Sequence, residues 1–246
     1  MSLKDIQTKA KQKPPRILLY GGAGIGKTTF AASMTKPIFL ITEDGLGQIK
    51  VPHFPLIKSF DTIIERLQTL VDDDHDYKTV VVDSLDWLEP LVWEKCCKDN
   101  NWKNIEQPGF GKGYKVALSY WRSYIDLMNK LRDQRGMTIM QLAHNQIKKF
   151  ESPEIEPYDR HEIKLQRAAS DVILEHADCC FFTNYKLGTV KVQGKGGNMT
   201  TKAVAGDRVI YTSEKPAFLA KNRYALPDEM PFDWQSIRAE MIKTKE

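Results

Sequence analysis

The sequence predicts an α/β fold: a mainly parallel sheet flanked by helices on both faces, with a small antiparallel extension of the sheet towards the C-terminus. Three observations predict it. Continuous apolar runs, of the kind found in strands buried on both faces, alternate with segments of helical spacing. A glycine-rich loop stands between the first such run and the first helical segment. From Thr189 to Asn222 the pattern changes to short strands separated by Gly, Lys and Asn turns.

The elements follow in order. Residues 1–14 are polar and read as a flexible arm that Pro14-Pro15 ends, before a strand over Arg16 to Tyr20. The helix after the glycine loop stops near Pro37, because the residue before a proline is pushed out of the helical region. Ile38 to Thr42 is a buried-strand run, and Thr62 to Val71 is helical, with Thr62 and Glu65 spaced as a capping box. Thr79 to Asp83 is the next strand, followed by a helix from about Asp86 to Asp99. Gln107 to Tyr114, with three glycines in five residues, reads as loop. Ala117, Trp121, Tyr124, Met128 and Leu131 then fall at helical spacing, and this aromatic stripe faces the core; Gly136 sits where a left-handed helix stop belongs. Met137 to Ala143 is a strand ending in His144-Asn145-Gln146, and Glu151 to Arg160, with two prolines, is a long polar loop. A helix over Gln166 to His176, a strand over Cys179 to Tyr185 and a last helix over Phe232 to Lys243 complete the chain. With 246 residues, 41% of them hydrophobic, and no internal repeat, residues 15–246 read as one domain around one core.

Composition narrows the function classes. A net charge of +4 is too small to identify a polyanionic partner. No apolar run approaches the ~18 residues needed to span a bilayer, and the first 16 residues hold no apolar signal core. The expectation is a soluble protein without membrane partners that stays in the cytoplasm. The cysteines come as two adjacent pairs, Cys96-Cys97 and Cys179-Cys180, without the C-x-x-C or H-x-x-x-H spacing of a zinc site. Cys179 and Cys180 run into Phe181-Phe182, which favours packing in a buried strand.

The chemistry is concentrated in Gly21-Gly22-Ala23-Gly24-Ile25-Gly26-Lys27-Thr28, which fits G-x-x-x-x-G-K-[ST] between a strand and a helix. Glycines let the backbone curl until its amide hydrogens face one point, forming a phosphate cradle. Lys27 reaches the β and γ phosphates, and the Thr28 hydroxyl takes a position on Mg²⁺, with Thr29 beside it. Val80-Val81-Val82-Asp83 matches the second motif of such proteins, so Asp83 is the metal-side carboxylate; a helix cap is the competing reading of the same residue. Glu43, directly after the Ile38 to Thr42 strand, is the candidate general base, provided that strand lies beside the glycine-loop strand; a surface Glu-Asp-Gly turn is the alternative. His144 to Gln146 are placed to sense the γ phosphate, with Asn145 as a catalytic candidate, while His144 reads equally well as a structural histidine.

The order of these motifs resembles the ATPase core of RecA-like recombinases and, more closely, small phage nucleotide-binding proteins of the AAA/RecA type, including Sak-type single-strand annealing proteins. The likeness spans roughly residues 15–230, and the Glu43 placement and Lys221-Asn222-Arg223-Tyr224 favour this branch. It implies a Mg²⁺-dependent, DNA-stimulated ATPase acting on single-stranded DNA in phage-type recombination or annealing, in the host cytoplasm, and forming an ATP-dependent homo-oligomer. It also implies that Lys221 and Arg223 contact ATP across a subunit boundary, and that segments 100–113 and 147–160 face DNA. The chain has no room for a flanking DNA-binding domain, so annealing, or a helper role beside a single-strand-binding protein, is the more modest expectation.

Charge supports this weakly. Between Lys112 and Lys149 stand eight Lys/Arg against two Asp, and four lysines without an acid lie between Cys179 and Gly206. Trp102, Phe110 and Tyr114 are stacking candidates, although a solvated helix face explains much of the charge. Two other readings remain open. One is a kinase, with Arg160 and Arg167 in a lid, and the other a nucleotide-dependent interaction module. No guanine-reading Asn/Thr-Lys-x-Asp motif occurs, so ATP is the expected nucleotide.

Overall fold

The computed structural model describes residues 12–193 and 199–243. Its strands are β1 (Arg16–Gly21), β2 (Pro37–Ile41), β3 (Thr79–Asp83), β4 (Thr138–Phe150), β5 (Tyr158–Ile163), β6 (Cys179–Gln193), β7 (Met199–Tyr211), β8 (Lys221–Asn222) and β9 (Glu229–Pro231). The helices are α1 (Lys27–Ala32), α2 (Phe60–Asp72), α3 (Leu85–Asp99), α4 (Lys112–Gln134), α5 (Arg167–His176) and α6 (Trp234–Lys243). The strands form one sheet in the order β2-β3-β4-β1-β6-β7-β9, parallel from β2 to β6 and antiparallel beyond.

Alternation along each strand sorts the core into two layers. Leu18, Tyr20, Val80, Val82 and Ile139 pack against α2, α3, α4 and α5, whereas Ile17, Leu19, Val81, Met140 and Leu142 pack against α1 and α6. Cys179 and Cys180 are both fully buried, one in each layer, as a doubly covered strand demands. Trp121 and Tyr124 of α4 anchor the larger layer, edge to face at 5.8 Å, and the Tyr124 hydroxyl donates to Gln141 at 2.9 Å.

Several boundaries differ from the sequence reading, each for a local reason. The expected polar arm lies, up to residue 11, outside the described residues; Lys13 pairs with Asp133 at 2.8 Å, and the Pro14 carbonyl accepts from Arg132. Helix α2 begins at Phe60 instead of Thr62, because the Ser59 hydroxyl accepts from the Thr62 amide at 3.2 Å and caps it. Helix α4 already includes Gly113, where an added Cβ would collide with the Ile105 carbonyl. Strand β4 does not stop at Ala143. It runs on to Phe150 and pairs with β5, so residues 151–157 are loop as expected, while Tyr158 to Arg160 of the expected loop belong to a β-hairpin. The short strands expected after Thr189 are instead two long ones, β6 and β7, paired from Phe182 opposite Tyr211 to Gln193 opposite Met199.

At the N-terminal edge of the parallel strands Asp178 collects three arginines: Arg16 at 2.8 Å, Arg132 at 3.2 Å and Arg223 at 3.4 Å. Beside it His176 contacts the Asn129 carboxamide oxygen at 2.9 Å. Burial, helped by Arg16, lowers the His176 pKa from 6.5 to about 4. The unfolded chain therefore takes up a proton at higher pH than the folded one, and this contribution to stability is lost as pH falls from about 6.5 to 4. Unfolding free energies from urea titrations across that range should decline, by up to ~3 kcal/mol on account of this group, and H176Q should flatten the decline. An equally steep H176Q profile would remove His176 as the cause.

Candidate active site

Strand β1 ends at Gly21 opposite His144 of β4, and β3 ends at Asp83 opposite Leu142; the segments leaving β1 and β2 there, with Asp83 and His144, line a cavity of about 300 Å³. The glycine loop supplies one wall. Gly24 and Gly26, at φ 74° and 102°, hold left-handed conformations that side-chain-bearing residues resist, and these allow the loop to curl. Helix α1 behind it is only six residues long, so the loop amides and Lys27, rather than a long helix dipole, provide the positive potential.

Lys27 is 6% exposed, and its ammonium donates to the carbonyls of Gly21 and Gly22, both at 3.0 Å. An ammonium has three hydrogens, so one remains for a ligand. Burial lowers its pKa, and the carboxylates of Asp83, Asp86 and Glu43 oppose that shift. The Thr28 hydroxyl donates to Asp83 at 2.7 Å, leaving both its lone pairs for a cation. Burial raises the Asp83 carboxyl above its ordinary range, the Thr28 hydrogen bond draws it down, and Glu43 pushes it up again. A hydroxyl and a buried carboxylate short of positive charge are a donor set that fits Mg²⁺. Among the described residues no cluster of three or more His, Cys, Asp or Glu side chains competes for a metal.

Glu43 lines the same cavity, although not by the route the sequence suggested. Strand β2 is not a neighbour of β1; it lies at the sheet edge, with β3 and β4 between them. Thr42 makes up the distance. Its hydroxyl donates to the Ser84 carbonyl at 2.7 Å and accepts from the Ser84 amide at 2.9 Å, binding the end of β2 to the end of β3. The Glu43 carboxylate then stands 3.5 Å from the Ser84 hydroxyl, beside Asp83.

The third strand brings His144 to the cavity and turns Asn145 away from it, since successive residues of a strand face opposite ways. His144 pairs in register with Gly21. Asp86 orients it, accepting from its amide at 3.0 Å and contacting Nδ1 at 2.9 Å. Asn145 lies behind Gly22 and bonds His161 Nδ1 at 2.8 Å. Ala23 and Thr29 line the cavity, whereas Lys221 and Arg223 lie at the other end of β6. Lys221 donates to the Leu174 and Glu175 carbonyls of α5, and Arg223 joins Asp178. Asp86 and Arg208 escaped the sequence reading. Asp86 looked like an ordinary acid in a first helical turn, and Arg208, whose Nη1 donates to the Ile25 carbonyl at 3.1 Å, carries no motif at all.

A sequence model described as an AAA domain matches residues 13–224, which include every residue of this cavity. The chain belongs to the AAA domain family. This AAA domain is 28% identical over 134 residues to an SPbeta prophage-derived uncharacterized protein, YorG, of Bacillus subtilis strain 168. The match takes in 52% of the chain, which spans 40% of that relative's length. The crystal structure of the RadB recombinase aligns with 81% of the AAA domain and 80% of its own chain, with a TM-score of 0.46 and 12% identity. Membership of the family implies nucleotide binding. Among the described residues no helix is long and apolar enough to cross a membrane.

Removal of the buried cation tests the assignment of the cavity. K27A should lose about 10- to 100-fold in triphosphate affinity by calorimetry, the range of a hydrogen bond to a charged group. Unchanged affinity would move the phosphates elsewhere.

Proposed function

We propose that this AAA domain protein binds ATP with Mg²⁺, hydrolyses it, and acts on single-stranded DNA in phage-type recombination or annealing. The observation that carries the hydrolytic part is the convergence of Lys27, Thr28, Asp83 and Glu43 on one cavity from three separate strand ends. The loop amides and Lys27 bind and orient the triphosphate. Thr28 and Asp83 would hold Mg²⁺, which supplies charge neutralisation on the phosphate oxygens. Glu43 takes the proton of the attacking water, and His144, held by Asp86, faces the terminal phosphate. Asn145 supports the loop from behind Gly22.

The DNA part rests on the hairpin. Lys148 and Phe150 of β4 stand opposite Arg160 and Tyr158 of β5, which places cations and aromatic rings on one face. Lys148, Phe150 and Arg160, with Arg167 of α5, border a second cavity of about 490 Å³, which Glu151, Glu162 and Asp171 also line. Phe110 is 100% exposed and Trp87, one turn into α3, is 51% exposed, while Trp102 and Tyr114 pack against the core. The prophage origin of YorG agrees with a phage setting. A head-to-tail homo-oligomer would carry Lys221 and Arg223 of one copy towards the nucleotide of the next. Arg160 and Arg167 line the hairpin cavity and not the phosphate cavity, and Arg160 is stacked on Phe150 and paired with Glu214, so neither forms the lid a kinase needs.

In steady-state assays E43Q should lower turnover by about 10²- to 10⁴-fold with ATP affinity retained. Undiminished turnover would assign the base elsewhere. The double variant K148A/K149A should weaken binding of a fluorescent single-stranded oligonucleotide and reduce its salt slope by about 1.4. An unchanged slope would take DNA off the hairpin.

A further inference from the structure

The phosphate cavity offers no planar ring free to stack on a nucleobase. Its walls are loop backbone, small side chains, Ile49, Lys27 and carboxylates, and its one ring, His144, is held by Asp86. A planar platform stands just outside, on the far side of Gly26. Arg208 reaches over from β7, so close that a Cβ on Gly26 would overlap its Nη1. The guanidinium lies 4.9 Å from the centre of the Phe232 ring. Phe232 rests on Phe30 of α1 at 5.1 Å, and Phe30 meets Trp234 edge-on at 6.3 Å, so the second core layer supports the platform. Arg208 is itself exposed, and of its five N–H donors the Ile25 carbonyl takes one.

A guanidinium plane backed by an aromatic ring and open on its outer side is a stacking surface for another planar ring, and nucleobases use arginine planes in this way. Arg208 bonds the glycine loop at Ile25 and is not among the residues lining the cavity, so it stands where a ligand with its phosphates in the cradle would carry its base outside. We propose that Arg208, held over Phe232, is the shelf on which the base of the bound nucleotide stacks. This rests on the nucleotide reading of the cavity and names the group that reads the remainder of the ligand.

The test separates base from phosphates. Calorimetry would compare ATP with inorganic tripolyphosphate, both with Mg²⁺, on the wild-type chain and on R208A, R208K and F232L, with thermal melting as the folding control. R208A should weaken ATP about 10-fold or more, the scale of one lost base stack, and change tripolyphosphate by less than about twofold. R208K keeps the charge and loses the plane, so it should resemble R208A; it also serves if R208A does not fold. F232L should fall between R208A and the wild type for ATP alone. Equal losses for both ligands would show that Arg208 only latches the Ile25 carbonyl, and recovery by R208K would show that charge suffices; either overturns the shelf. Wild type that binds tripolyphosphate as tightly as ATP overturns the shelf alone. Binding of neither ligand overturns the nucleotide reading beneath it.

Discussion

Lys27 is an ammonium buried at the end of a parallel sheet, held by two backbone carbonyls and, among the described residues, without an ion-pair partner. A buried cation without a counter-ion is costly unless hydrogen-bonded, and two carbonyls satisfy it only in part. The nearby carboxylates make it tolerable: Asp83, Asp86 and Glu43 all act to keep the charge on Lys27. Asp83 and Glu43 reach the cavity because β3 ends beside the level at which β1 ends and because Thr42 binds the β2 end to Ser84. The sheet order and the Thr42–Ser84 clamp thus serve one electrostatic arrangement, a concave site holding a hydrogen-bond donor that awaits an anion.

Helix α3 connects that arrangement to the rest of the molecule. Asp86 holds His144 at the cavity, and one turn later the buried Glu89 carboxylate accepts from the Gln166 amide at 3.0 Å and 3.1 Å, at the start of α5. Burial raises the Glu89 pKa to about 7, with the Gln166 amide lowering it and Asp86 raising it. Two acids on one helix therefore hold the start of the hairpin and the start of the helix that together border the second cavity.

The parallel sheet and its two covering layers were legible because strands buried on both faces read as unbroken apolar runs, as in Val80-Val81-Val82. The grouping of the glycine loop, Lys27, Thr28 and Asp83 at one cavity was legible because it follows from motifs of short-range spacing. Glu43 was found through its place at a strand end, but the neighbour assumed for β2 was wrong, since strand order is set by long-range packing that leaves no local mark. The continuation of β4 to Phe150 was missed because Lys148 and Lys149 mask an alternation that only pairing with β5 reveals, whereas the stretch with prolines at 153 and 157 is loop, as read. Arg208 was invisible because what it touches is a loop 183 residues away in the chain.

The most direct measurement is phosphate release from Mg-ATP, with and without single-stranded DNA, at low and at moderate salt. The proposed function predicts release that DNA stimulates, with the stimulation fading as salt rises, because cations of the hairpin would make the contacts to DNA. Release that is indifferent to DNA at both salts would contradict a DNA-acting ATPase and return the hairpin to ordinary surface.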